Sequence, residues 1–63
     1  MSGQLESRHF FRAGDTVQHR DGRWGRVVEA LALYAMVEWD DLSRQEIDQF
    51  EPLVEVVERA EAV

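Results

Sequence analysis

The pair Asp21-Gly22 constrains this chain more than any other two residues. It lies between Thr16-Val17-Gln18-His19-Arg20 and Trp24-Gly25-Arg26-Val27-Val28-Glu29. An Asp-Gly step between two β-rich runs predicts a hairpin, because glycine accepts the positive φ a tight turn needs. Gly25 inside the return strand predicts a bulge or a close backbone approach. Downstream, Tyr34-Ala35-Met36-Val37-Glu38-Trp39 alternates so that Ala35, Val37 and Trp39 share one face, and Asp40-Asp41 ends the run. Between the two runs, Ala30 to Leu33 suits either a strand extension or a corner.

The last third leaves helix and strand in competition. Ser43 and Glu46 match a helix capping box, with Ile47 and Phe50 three apart on one helical face. A strand from Gln45 to Phe50 would instead pair with its predecessor across residues 40–44, and this is the preferred expectation. Pro52 suits the first turn of a helix or a short 3₁₀ turn. Leu53-Val54-Glu55-Val56-Val57 reads as a final β-strand, with a helix over 52–62 as the rival. The expected organisation is a lead-in over 1–9, one folded unit over 10–58 and a tail over 59–63. Val17, Val27, Val37, Trp39, Leu53 and Val56 are the expected core.

Size and composition narrow the function. A chain of 63 residues without cysteine forms one domain, with no disulfide or thiolate metal site to support its small core. His9 and His19 have no third ligand, and the acidic stretch lacks the alternating spacing and turn glycine of a calcium loop, so no metal is expected. No phosphate-cradling glycine loop and no nucleophile with a nearby base is present, so neither a cofactor nor catalysis is expected. No apolar run is long enough to span a bilayer, and the start lacks a signal-peptide pattern, which makes a cytoplasmic location the expectation.

The net charge of −6 is unevenly spread. Residues 1–28 hold five arginines (8, 12, 20, 23 and 26) against three acids, a balance of +2; residues 29–63 hold ten acids against two arginines, a balance of −8. The acidic part, through Glu38, Asp40, Asp41, Glu46, Asp48 and Glu51, suits a basic partner protein. Basic and aromatic residues interleave at the hairpin, through Arg20, Arg23, Trp24 and Arg26. Single-stranded nucleic acid uses that combination, although the acidic remainder repels a phosphate backbone at range. A solvated hairpin tip, or internal pairing of these arginines with Glu38 or Asp40, is the preferred expectation. Most aromatics are expected in the core, while Trp24, in a turn, and Tyr34, at a strand start, are expected at the surface.

Gly14-Asp15-Thr16-Val17, Gly22-Arg23-Trp24-Gly25-Arg26-Val27, Tyr34 to Asp40 and Leu53 to Val56 together resemble small SH3-like barrels of the Tudor and KOW type. The resemblance covers about residues 12–58 and is to a fold shared by unrelated functions. It implies an all-β, five-stranded SH3-like barrel. It also suggests an aromatic cage for a methylated side chain, which Trp24 and Tyr34 would have to build. The small extrinsic SH3-like protein of photosystem I and the type II dihydrofolate reductases are similar in strand order. The latter carry a Val-Gln-Ile-Tyr segment on the fourth strand that contacts their ligands. The nearest equivalent here, Ile47-Asp48-Gln49-Phe50, displaces the glutamine and inserts an acid that would repel a phosphorylated cofactor. The expected function is a non-catalytic protein-interaction module, an accessory subunit or small regulator, that uses Arg23, Trp24, Arg26, Tyr34, Asp40, Asp41 and Asp48. Nucleic-acid binding is the alternative, and self-association through an open edge or through Trp24, Leu31 and Leu33 is a further expectation.

Overall fold

A computed structural model describes residues 10–60. The expected lead-in over 1–9, with His9, and the last residues of the expected tail, 61–63, lie outside the described residues. Five antiparallel strands follow in chain order: β1 Thr16–His19, β2 Trp24–Ala30, β3 Tyr34–Trp39, β4 Arg44–Asp48 and β5 Val54–Glu58. Their order in the sheet is β4-β3-β2-β1-β5. The class is all-β, and among the described residues there is no helix, so none is long and apolar enough to cross a membrane.

Strand wins over helix in 44–48 because the neighbour dictates it. Ile47 stands opposite Ala35 and Gln45 opposite Val37, so the segment completes a ladder that β3 has already shaped. Ser43 caps no helix: its amide and hydroxyl both donate to Asp41 Oδ1, at 2.9 and 2.6 Å. The expected extension of this strand to Phe50 fails. The Phe50 amide donates to Asp48 Oδ1 at 2.8 Å and the Glu51 amide to the Asp48 carbonyl at 3.0 Å, which turns the chain away from β3. Pro52 sits in a turn between the amide of Val54 and the carbonyl of Glu51, 3.4 Å apart, with no 3₁₀ helix formed.

The sheet is not closed into a barrel. β4 and β5 stand at opposite edges and do not pair, although residues 49–53 join them directly and limit how far apart their linked ends lie. Two register shifts bend the sheet. One skips Val28 between β2 and β3, and the other skips Val57 between β1 and β5. Each bulge leaves its valine partly exposed and sharpens the local twist.

The core holds Phe11, Val17, Val27, Ala35, Val37, Trp39, Ile47 and Val54, with Ala30 and Val56 packed against it. Leu53 corrects the expectation: it is 42 % exposed. Inward positions on a strand repeat every second residue, so Val54 and Val56 take the core face and Leu53 stays in the turn before them. Gly25 makes a close approach and is not a bulge. It lies opposite Trp39, and a Cβ built there would sit 2.7 Å from the Trp39 ring and 2.8 Å from Val37 Cγ1.

Two buried polar side chains tie down segments outside the ladder. Asp15, fully buried, accepts the Arg12 amide (2.9 Å), the Ala60 amide (2.8 Å) and an Arg59 guanidinium N–H (2.8 Å). The Gln49 side chain accepts the Phe11 amide at 2.6 Å and donates to the carbonyls of Phe11 (3.2 Å) and Leu31 (2.8 Å). Both groups are thereby satisfied, as buried polar groups must be.

Candidate functional site at the paired hairpin tips

The β1–β2 and β3–β4 loops share one backbone design. In the first, the His19 amide donates to the Arg23 carbonyl and the Gly22 amide to the His19 carbonyl, both at 2.8 Å. In the second, Trp39 donates to Ser43 and Leu42 to Trp39, again at 2.8 Å. Each is a three-residue hairpin loop whose last residue takes a positive φ, the position glycine normally fills. Gly22 has φ +104°, and Leu42 occupies the matching place at φ +75°. An aspartate braces each loop from one position earlier: Asp21 Oδ1 accepts the Arg23 amide at 3.0 Å, and Asp41 Oδ1 accepts the Ser43 amide at 2.9 Å.

These bonds favour the carboxylate form. The Asp21 pKa lies below the ordinary Asp value, chiefly through the Arg23 amide, with desolvation opposing it and the Arg23 guanidinium adding to the lowering. The Asp41 pKa is lowered first by the Ser43 hydroxyl and then by the Ser43 amide. The aspartates are thus ionised braces of the loops.

The two loops also interlock. The Asp40 amide donates to the Trp24 carbonyl at 2.8 Å, and the Trp24 amide makes a long bond of 3.4 Å to Asp40 Oδ2. The Arg23 guanidinium lies 4.7 Å above the ring centre of Trp39 and bonds Asp21 through Nε at 3.0 and 3.2 Å. Trp39 is therefore a core residue. One face of its ring meets the chain's own cation, its Nε1 donates to Gln45 Oε1 at 3.1 Å, and the His19 ring stands edge-on 5.8 Å away.

Beside these tips lies a shallow recess of about 340 Å³, lined by Thr16, Trp24, Gly25, Arg26, Glu38, Trp39, Asp40 and Leu42. Trp24 is 47 % exposed and Leu42 77 % exposed. Arg26 faces Thr16 on one side and Glu38 on the other across the ladder. Of the two expected accounts of the hairpin, a solvated tip or internal pairing with Glu38 or Asp40, no ion pair within 4.0 Å joins Arg26 to either acid; Arg23 pairs with Asp21 instead.

The expected site residues divide into two groups. Arg26, Trp24 and Asp40 meet at the recess, with Arg23 and Asp41 in the loops beside it. Tyr34 and Asp48 stand opposite each other at the other end of β3. Trp24 and Tyr34 are thus separated by most of the β2–β3 ladder and do not share a cage. Arg23 turns to the Trp39 ring while Arg26 stays with Trp24, so the Arg20–Arg26 run does not form one basic face. Gln49, the counterpart of a ligand-contacting glutamine in the reductase resemblance, spends its amide on Phe11 and Leu31. Sequence reasoning missed Leu42. Its signal was a large apolar residue directly after Asp40-Asp41, where a tight turn favours glycine or asparagine.

No family model, no curated protein and no solved structure matches this chain.

Proposed function

We propose that this domain is a non-catalytic protein-binding module of SH3-like type, an accessory subunit or small regulator, with its contact surface at the paired hairpin tips. One observation carries the proposal: Leu42 is held exposed, in a left-handed conformation, beside an exposed Trp24. A leucine in that backbone region costs about 1–2 kcal/mol that glycine would avoid. Strain of this kind gathers at binding surfaces, where a side chain has to be presented at a fixed angle. Trp24 has the character of an interface anchor, and Asp40 and Asp41 flank Leu42 with negative charge. The complementary partner offers an apolar hollow with a basic rim.

The nucleic-acid alternative gains no support from the division of Arg23 and Arg26 between two surroundings. A fluorescence titration with single-stranded oligonucleotide at low salt, where phosphate contacts are strongest, checks it. The principal test is affinity capture with the tagged full chain, comparing wild type with Trp24→Ala and Leu42→Asn. Asparagine tolerates the left-handed backbone, so Leu42→Asn removes the apolar side chain and leaves the loop intact. Loss of the same captured proteins from both variants, with retention by Asp48→Asn, is expected. Retention by all three variants would refute the assignment of the surface.

A further inference from the structure

A second concave surface runs along β5, away from the hairpin tips. This cleft of about 680 Å³ is lined by β5 together with Phe10, Phe11 and the turn through Phe50, Glu51 and Pro52. The Phe10 and Phe50 rings meet edge-to-face 5.3 Å apart, and each is exposed, at 42 % and 59 %. Among the described residues, β5 is an edge of the sheet. The Arg20 amide donates to the Leu53 carbonyl, and Glu55 stands opposite Gln18. Antiparallel pairing alternates direction along a strand, so the amide and carbonyl of Val56 point away from β1, toward the open side. Among the described residues, the cleft's lining contributes Glu51, Glu55 and Glu58 against a single cation, Arg59. That guanidinium is already engaged by Asp15 and by the Phe10 carbonyl, at 2.8 and 2.7 Å.

We propose that the β5 edge receives an extended, basic segment of a partner protein as an added strand. The segment pairs its backbone with Val56, sets apolar side chains on Phe10 and Phe50, and directs cations at Glu55 and Glu58. Strand addition draws affinity from main-chain bonds and specificity from alternate side chains, and an apolar floor with an acidic rim selects alternating apolar and basic residues. A second copy of this chain is a poorer occupant. Antiparallel pairing of two β5 strands about Val56 would place two sets of Glu55 and Glu58 in one seam, between molecules that each carry −6. The β4 edge is better guarded, since Arg44, Glu46 and Asp48 are all exposed along it, the usual protection against strand addition.

The probe is a short synthetic peptide alternating valine with arginine, added to the isotope-labelled full chain and followed by NMR and amide hydrogen exchange. Slower exchange of the Val56 amide is expected, with shift changes along 54–58 and none at Trp24. Glu55→Lys with Glu58→Lys, both at exposed positions, should weaken binding about tenfold. N-methylation of the peptide amides that face β5 should abolish it while leaving the peptide's charge unchanged. Three results would each overturn the proposal: no binding, equal binding of the N-methylated peptide, or Val56 protection that rises with protein concentration in the absence of peptide. The last would assign the edge to a second copy. Trp24→Ala should bind the probe normally, which separates failure here from failure at the hairpin tips.

Discussion

The two hairpin loops are nearly superimposable in their hydrogen bonds, yet one ends on Gly22 and the other on Leu42. At Gly22 an added Cβ would meet nothing within 4 Å, so glycine is there for its backbone freedom and not for lack of room. At Leu42 the same backbone is imposed on a branched side chain that is largely exposed. Flanking bonds sustain the strained member of the pair: Ser43 donates twice to Asp41, and Asp40 donates to the Trp24 carbonyl. A turn needs its φ values whatever residue supplies them. Where the cheap residue is absent, neighbours must hold the conformation and the side chain gains a fixed direction.

Gly25 is the floor that both loops share, because it pairs with Trp39 at the root of the second. Gly25→Ala should be the most damaging of the small changes. It forces the Trp39 ring and Val37 apart, at a cost of about 1–3 kcal/mol, and thermal unfolding should register a clear fall in Tm. An unchanged Tm would show that the ring moves aside freely. Gly22→Leu, which makes the first loop resemble the second, should cost about 1–2 kcal/mol by denaturant unfolding. A smaller loss would mean that the Asp brace alone is sufficient to hold such a loop.

The converse change, Leu42→Gly, should alter stability less. Relief of strain is partly offset by about 0.4–1 kcal/mol from the freer unfolded chain. Leu42→Asn, with less of that entropic cost, should be the more stable of the two variants in the same denaturant series, and a loss of stability in both variants would argue that Leu42 is not strained.

Acid should affect both loops through their braces. Asp21 and Asp41 have lowered pKa values in the folded chain. Their contribution is therefore complete above the unfolded value near pH 4, and is lost as pH falls through the lower folded values. NMR titration should show the Arg23 and Ser43 amide signals moving together with midpoints below the ordinary aspartate range. Ser43→Ala should bring the Asp41 midpoint back toward that range and leave the Asp21 midpoint in place.

The sequence by itself determined the local parts of this protein. Asp21-Gly22 specified the first hairpin because only a few residues accept its backbone. Ala35, Val37 and Trp39 shared a face because side chains alternate along any strand. The exposure of Trp24 followed from its place at a turn. Tertiary structure decided what depended on neighbours. Pairing with β3 made 44–48 a strand, overriding a helix cap whose serine found Asp41 instead. β4 and β5 did not pair, so the sheet stayed open where a closed barrel was expected. Gly25 became a seat for the Trp39 ring, Gln49 a clasp for Phe11, and Leu42 an exposed residue in a glycine's position. The physical reason is common to all of these: turn preference and two-residue periodicity act within a few residues, whereas register, closure and the satisfaction of buried polar groups are settled between segments far apart in the chain.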